Sequence, residues 1–237
     1  MTEKTLEITS VAEFHAAVES TWSETPIFRG ENRSHYPLRP KYGRHQVINP
    51  KNDASREKGM LAEFKRRATP MLEHAPENEW EWLAVAQHHG LATRLLDWTE
   101  NVLVAAYFAT LTNDPIDDCV IYVLNSSDLL GVDMGVDPFA ISQNFLYRPR
   151  QTARRFVAQQ GVFVAVHEPL KPFELSSLRR WVVKREIANQ LAVVITTYGI
   201  SHATVFPDLD GLSKDIGENW LWAEEELYSF LKDKSPQ

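Results

Sequence analysis

The sequence is nearly without cysteine: its 237 residues contain one, Cys119. No internal disulfide can form, and nothing points to a disulfide-stapled secreted scaffold. A reactive thiol needs an electropositive, partly open setting. The surrounding run DDCVIYVL is apolar, which predicts a buried structural thiol instead. No stretch approaches the roughly 20 apolar residues that cross a bilayer. The opening MTEKTLEITS lacks the basic lead and apolar core of a signal peptide. Both features predict a cytoplasmic chain with no membrane partner. Positive charge is in deficit too, with 25 Lys and Arg against 32 Asp and Glu for a net charge of −7. Nucleic acid is therefore a disfavoured partner. The Walker A loop, GxGxxG, the GxSxG elbow, CxxC, the RNP motif and the zinc finger are all missing. The common nucleotide folds and serine hydrolases thus lack their usual signals.

What is present is a globular composition, 43% hydrophobic and 24% charged, in a chain long enough to bury a proper core. No repeat, low-complexity segment or Gly/Ser-rich linker divides it, so residues 1–237 read as one domain. Ser10 and Glu13 have capping-box spacing ahead of the helical stretch AEFHAAVES. PIFRG reads as a strand, and residues 31–55 as a long irregular segment. Helices follow over 55–69 and up to Gly90, a residue suited to the left-handed position past a helix end. Asp97 and Glu100 have the spacing of a second capping box, for the apolar helix ENVLVAAYFATL. CVIYVL, VFVAVHE, WVVKREI and ATVF read as strands. RQTARRFVAQQG reads as a helix stopped by Gly161, and helical spacing follows WVVKREI over residues 187–198. A C-terminal helix is expected over 218–232. The expected class is α+β, with a small mixed or antiparallel sheet flanked by helices.

Three polar clusters carry candidate chemistry. In QHHGLATRLLDWTE, adjacent His88 and His89 point about 100° apart on a helix and make a poor metal pair. A further ligand would have to be Asp97 or His74. One core and one exposed histidine is the plainer account. In the same stretch Arg94 is a permanently charged fork suited to carboxylate or phosphate, with Asp97 and Thr99 beside it; an Arg94–Asp97 pair that merely pins the turn is the competing reading. In FRGENRSHYPLRP, Arg29 ends a presumed buried strand and needs an anionic partner, either Asp97 or a ligand phosphate. Gly30 permits a close approach. In PRQTARRFVAQQG, Arg150 and Arg154 share a helix face, as a solvated basic face or an anion contact, and Gln159 and Gln160 precede a buried strand.

The segments PIFRG, AQHHGLATRLLDWTENVLVAAYFAT, RRFVAQQGVF and ATVFPDLDGLSKDI occur in that order. Together they resemble the FRG domain family, from about Trp22 to Ile216. The family pattern more usually has Gln where this chain has Glu31, and Pro where it has Ala92. By layout the resemblance extends to ADP-ribosyltransferase-like proteins. It implies Arg29 on an early strand, Thr99 and Tyr107 around the next helix, and Gln160 before a late strand. The function implied is nucleotide-directed. NAD would be the substrate, with no cofactor required, in ADP-ribosyl transfer or NAD glycohydrolysis within a toxin or phage-defence role. His89, Asp97 and Gln160 would be catalytic. Arg29, Gly30, Arg94, Thr99, Tyr107 and Arg154 would bind ligand, and no metal is expected. Because Gln160 carries no charge, the acid would have to be Glu168, Glu186 or Asp97. The alternative is a non-catalytic domain that recognises a small ligand or a protein partner through an arginine-lined pocket.

Overall fold

The apolar run at Cys119–Asn125 forms a strand buried on both faces within an eight-stranded sheet. The computed structural model describes residues 4–44, 53–111, 117–150, 154–218 and 220. Its strands are β1 (Lys4–Ile8), β2 (Pro26–Glu31), β3 (Leu95–Thr99), β4 (Cys119–Asn125), β5 (Leu130–Gly131), β6 (Phe145–Tyr147), β7 (Gly161–Ala165) and β8 (Arg179–Val183). They lie in the order β1-β8-β4-β2-β3-β7-β6-β5. The β1–β8 and β5–β6 pairs are parallel and the others antiparallel. The helices are α1 (Val11–Glu19), α2 (Asp53–Ala68), α3 (Glu79–His88), α4 (Val102–Thr110), α5 (Arg154–Gln159), α6 (Arg185–Thr197) and α7 (His202–Val205). Residues 209–218 are also helical. The α+β class, with a mixed sheet flanked by helices, is the observed one.

Alternation along the strands sorts side chains into layers. Phe28, Ile121, Val123 and Trp181 face α1, α4 and α6 in one cluster. Leu95, Phe163 and Ala165 face α2, α3 and α5 in another. The opposite face, including Leu96, Trp98 and Val164, is covered by loop residues such as Leu38, Leu129 and Phe173. Helix α4 lies directly on β2. A Cβ at Gly30 would stand 1.9 Å from the Ala105 carbonyl oxygen, so only glycine permits this approach.

The local signals for α1 and α3 act as expected. Ser10 accepts from the Glu13 amide, while the Glu13 carboxylate turns back to the Thr9 amide. Asn78 caps α3, and Gly90 follows its end at φ +88°. Three local expectations are corrected. LLDWT is strand β3, and α4 is capped by Asn101, whose side chain accepts from the Leu103 amide; Asp97 is not a cap. ATVF lies at the one-turn helix α7, not a strand, because Ser201 and Thr204 form a capping box there. Gln160, at φ +46°, makes the turn after α5, and Gly161 already begins β7. Much of the irregular 31–55 segment, residues 45–52, and the proposed helix beyond 218, apart from residue 220, fall outside the described residues.

The sheet is divided at its centre. Strand β2 pairs with β4 at six positions from Pro26 to Glu31, but with β3 only at Phe28↔Thr99. Where that ladder stops, Arg29 Nη1 donates to the Asp97 carbonyl at 2.6 Å. A side chain thus satisfies an acceptor that a neighbouring strand would otherwise take. On one face of this split, α3, α4 and α5 stand apart and leave a cleft.

Candidate functional site

The floor of the cleft is Phe28 and Gly30 of β2, Asp97 and Thr99 of β3, and Phe163 of β7. Helix α4 forms one wall with Val104, Ala105 and Phe108. Helices α3 and α5 form the other with Gln87, His88, Arg155, Phe156 and Gln159. Lys41 and Arg29 also reach it, and the hollow encloses about 400 Å³, within the usual range for small-molecule sites.

Asp97 is the one exposed residue of β3, between buried neighbours on either side. Its side chain is 61% accessible. Thr93, wholly buried, donates its hydroxyl to Gln87 Oε1 at 2.7 Å. That bond fixes the amide, so Gln87 Nε2 faces Asp97 Oδ2 and donates to it at 3.1 Å. Arg29 Nη1 lies 3.6 Å from the same oxygen. An open carboxylate is thereby oriented by a donor amide and flanked by a cation, on a rigid strand.

The cations of the cleft differ in their partners. Arg29, 13% exposed, pairs with Glu31 through Nε at 2.9 Å and Nη2 at 2.6 Å. Burial opposes its charge, but Glu31 and Asp97 more than offset this and raise its pKa. Burial pushes the Glu31 carboxyl up, yet Arg29 and Arg44 outweigh it and hold the group below the ordinary range. Lys41 Nζ donates to the Gly90 carbonyl at 2.7 Å. The Arg155 guanidinium lies 4.4 Å over the Phe206 ring, and burial pushes its pKa down. Among the described residues no carboxylate forms an ion pair with it, which leaves its charge available to an anion. His88 packs against Phe156, with ring centroids 4.9 Å apart. Burial, followed by His89 and Arg155, pushes its pKa down, so a neutral imidazole faces the cleft at neutral pH.

Of the residues expected from sequence, Arg29, Gly30, Asp97 and Thr99 meet here. Thr99 is a brace: its hydroxyl donates to the Gln159 carbonyl at 2.6 Å and accepts from the Asn101 amide at 3.0 Å. Gly30 lets α4 approach β2 rather than making room for a ligand alone. Arg94 is elsewhere, sealed at 2% exposure against Glu57 of α2. Glu57 receives the Arg94 amide at 2.6 Å and Nε at 2.8 Å, and the guanidinium lies over Phe139.

Three other positions are displaced by one residue. A helical step of about 100° turns Arg155 toward the cleft and leaves Arg154 exposed. The same step brings in His88, while His89 caps α3 and lines a different hollow. Gln159 lines the cleft, whereas Gln160 occupies the left-handed turn, where its carbonyl accepts from the Glu100 amide. Tyr107 lies on the far side of α4, its hydroxyl 2.6 Å from His202 Nδ1.

Sequence reasoning missed Gln87 and Thr93, although both lie within QHHGLATRLLDWTE, and in the cluster of Arg150, Arg154 and Arg155 it favoured Arg154 over Arg155. The signal for the first two was spacing: Thr93 lies just ahead of β3, four residues before Asp97, and both bond to the Gln87 amide. The basic residues Lys65, Arg66, Arg67 and Arg150 are each paired with glutamates. Among the described residues no group of three His, Cys, Asp or Glu side chains could hold a metal ion, and no helix is long and apolar enough to cross a membrane.

Against known proteins, residues 24–118 match the FRG domain. That segment supplies Arg29, Gln87, His88 and Asp97; Arg155, Phe156, Gln159 and Phe163 come from beyond it. No curated protein and no solved structure matches the chain.

Proposed function

Because the chain is an FRG domain-containing protein whose polar residues converge on one cleft, we propose that it acts on a ribonucleotide. We take NAD as the substrate, and cleavage of its nicotinamide–ribose bond, by ADP-ribosyl transfer or hydrolysis, as the reaction. The observation that carries this reading is the open Asp97 carboxylate, held by Gln87 and bordered by Arg29 and Arg155. Breaking a ribosyl C1′–N bond develops positive charge on the sugar, and a fixed carboxylate stabilises that charge. The bonding electron pair returns to the pyridinium nitrogen, so nicotinamide leaves neutral. Water or an acceptor hydroxyl then adds to C1′, and its proton passes through Asp97 to solvent. Arg155, with Arg29 behind it, would hold the diphosphate. Phe28, Phe108, Phe156 and Phe163 supply the apolar surface for a planar ring. Consumption of NAD suits a toxin or defence role.

The test is nicotinamide release from NAD by the purified chain. Asp97→Asn keeps the shape of the side chain and is expected to lower the rate by at least about a hundredfold. Its melting temperature should be unchanged, because the side chain is exposed. Binding of ADP-ribose without turnover would favour recognition by an arginine-lined pocket instead. Absence of both binding and turnover would remove each reading.

A further inference from the structure

A second and larger hollow, about 740 Å³, lies on the other side of the His88–Phe156 ring pair, since both residues line both spaces. Its walls are largely apolar, from Leu72, Ala84, Val85 and Pro149, with Ala75 exposed at the rim. Tyr147 lines it too. This residue is fully buried, its ring between Trp80 and Phe163, and its hydroxyl has no hydrogen-bond partner among the described residues. A buried hydroxyl without a partner is costly, and a ligand atom would remove that cost. Burial, then the charge of Glu81, pushes the Tyr147 pKa up, so the group remains a neutral donor. Arg150 does not invite an anion here, because Glu77 at 2.9 Å and Glu81 at 3.3 Å already flank it. The hollow therefore selects a planar, uncharged group with hydrogen-bonding edges.

We propose that this hollow is a nucleobase subsite, taking the base at the far end of a dinucleotide whose ribose phosphates occupy the first cleft. The proposal rests on the reading of that cleft given above. The His88–Phe156 pair is then the partition over which the ligand passes, and the substrate class is a dinucleotide rather than a mononucleotide.

Three probes separate the two halves by calorimetric titration of the full chain: adenosine, which has a base and no phosphate; ribose 5-phosphate, which has no base; and ADP-ribose. Adenosine should bind the unaltered protein. Tyr147→Phe should weaken it about fivefold, the range expected for one hydrogen bond. The melting temperature should hold or rise, because a buried unpaired hydroxyl is lost. Ala75→Trp, placed at an exposed rim position, should weaken adenosine at least about tenfold by filling the space. Arg155→Ala should leave adenosine unaffected and weaken ribose 5-phosphate, and ADP-ribose should respond to all three substitutions. Failure of adenosine to bind, or equal binding by Tyr147→Phe and Ala75→Trp, overturns the subsite. If ribose 5-phosphate fails to bind while adenosine binding depends on Tyr147, the first-cleft reading falls and the base subsite stands.

Discussion

Arg29 and Arg94 begin as equivalent signals, each an arginine beside an apolar strand, and they end in opposite environments. Arg94 is enclosed. A single carboxylate, Glu57, receives its backbone amide and its side chain, and the pair ties α2 to the entry of β3. Arg29 lies where two strands part, bridges to the Asp97 carbonyl, and shares Glu31 with Arg44. What separates them is the sheet around each one. An arginine beside a covered strand is neutralised by whatever packs above it. An arginine at a gap in the ladder stays at the edge of a hollow. The chemistry of the residue is the same, and the topology decides whether its charge is sealed in the core or left beside a cleft.

Glu57→Gln is the strongest challenge to that contrast. It deprives the buried Arg94 charge of its hydrogen-bonded carboxylate and should cost about 3–5 kcal/mol of stability, read from the denaturant midpoint. A loss below about 1 kcal/mol would mean that Arg94 finds water or another partner and is less enclosed than described. Next comes Arg155→Ala, which should weaken binding of inorganic phosphate or ADP-ribose about tenfold with little effect on folding. Unchanged affinity would leave Arg29 to act alone.

The third challenge is acid. Glu31 has a folded-state pKa below its unfolded value near 4.5. Its stabilising pairing with Arg29 and Arg44 is therefore complete above that value and is lost as pH falls through the lower one. Denaturant midpoints measured from pH 6 to pH 3 should fall less steeply for Glu31→Gln than for the unaltered chain. Coincident curves would place the weight of Arg29 on Asp97 instead. The smallest effect is expected from Arg154→Ala. This exposed change should stay within about 0.5 kcal/mol in stability and leave anion binding intact.

Much of the framework could be read from the amino acids. The apolar run at Cys119, the cap at Ser10 and the stop at Gly90 each act locally, and each is where periodicity placed it. Burial also pushes the Cys119 thiol up to about 12, in keeping with a structural thiol. The errors arose where the same residue types serve two purposes. Asp and Thr favour helix caps, so LLDWT resembled a helix start. Only pairing with β7 from Leu95 to Thr99 makes it a strand. Val and Thr favour strands, yet a one-turn helix holds His202–Val205 because its cap is satisfied. Strands β1, β5 and β6 draw their identity from distant partners and left little trace. Within the site, residue types were found more readily than register. His88 with His89, Arg154 with Arg155, and Gln159 with Gln160 are adjacent pairs in which only rotation about a helix or turn selects the member facing inward.

The split sheet has a dynamic consequence. On one side β2 carries a full ladder to β4; on the other it carries a single rung and one guanidinium. A strand at the middle of the sheet thus has the exposure to fraying of a strand at its border. Amide hydrogen exchange should be slow along the β2–β4 seam and faster along the β2–β3 seam. Opening there would widen the hollow from below, without disturbing the hydrophobic layers on either side.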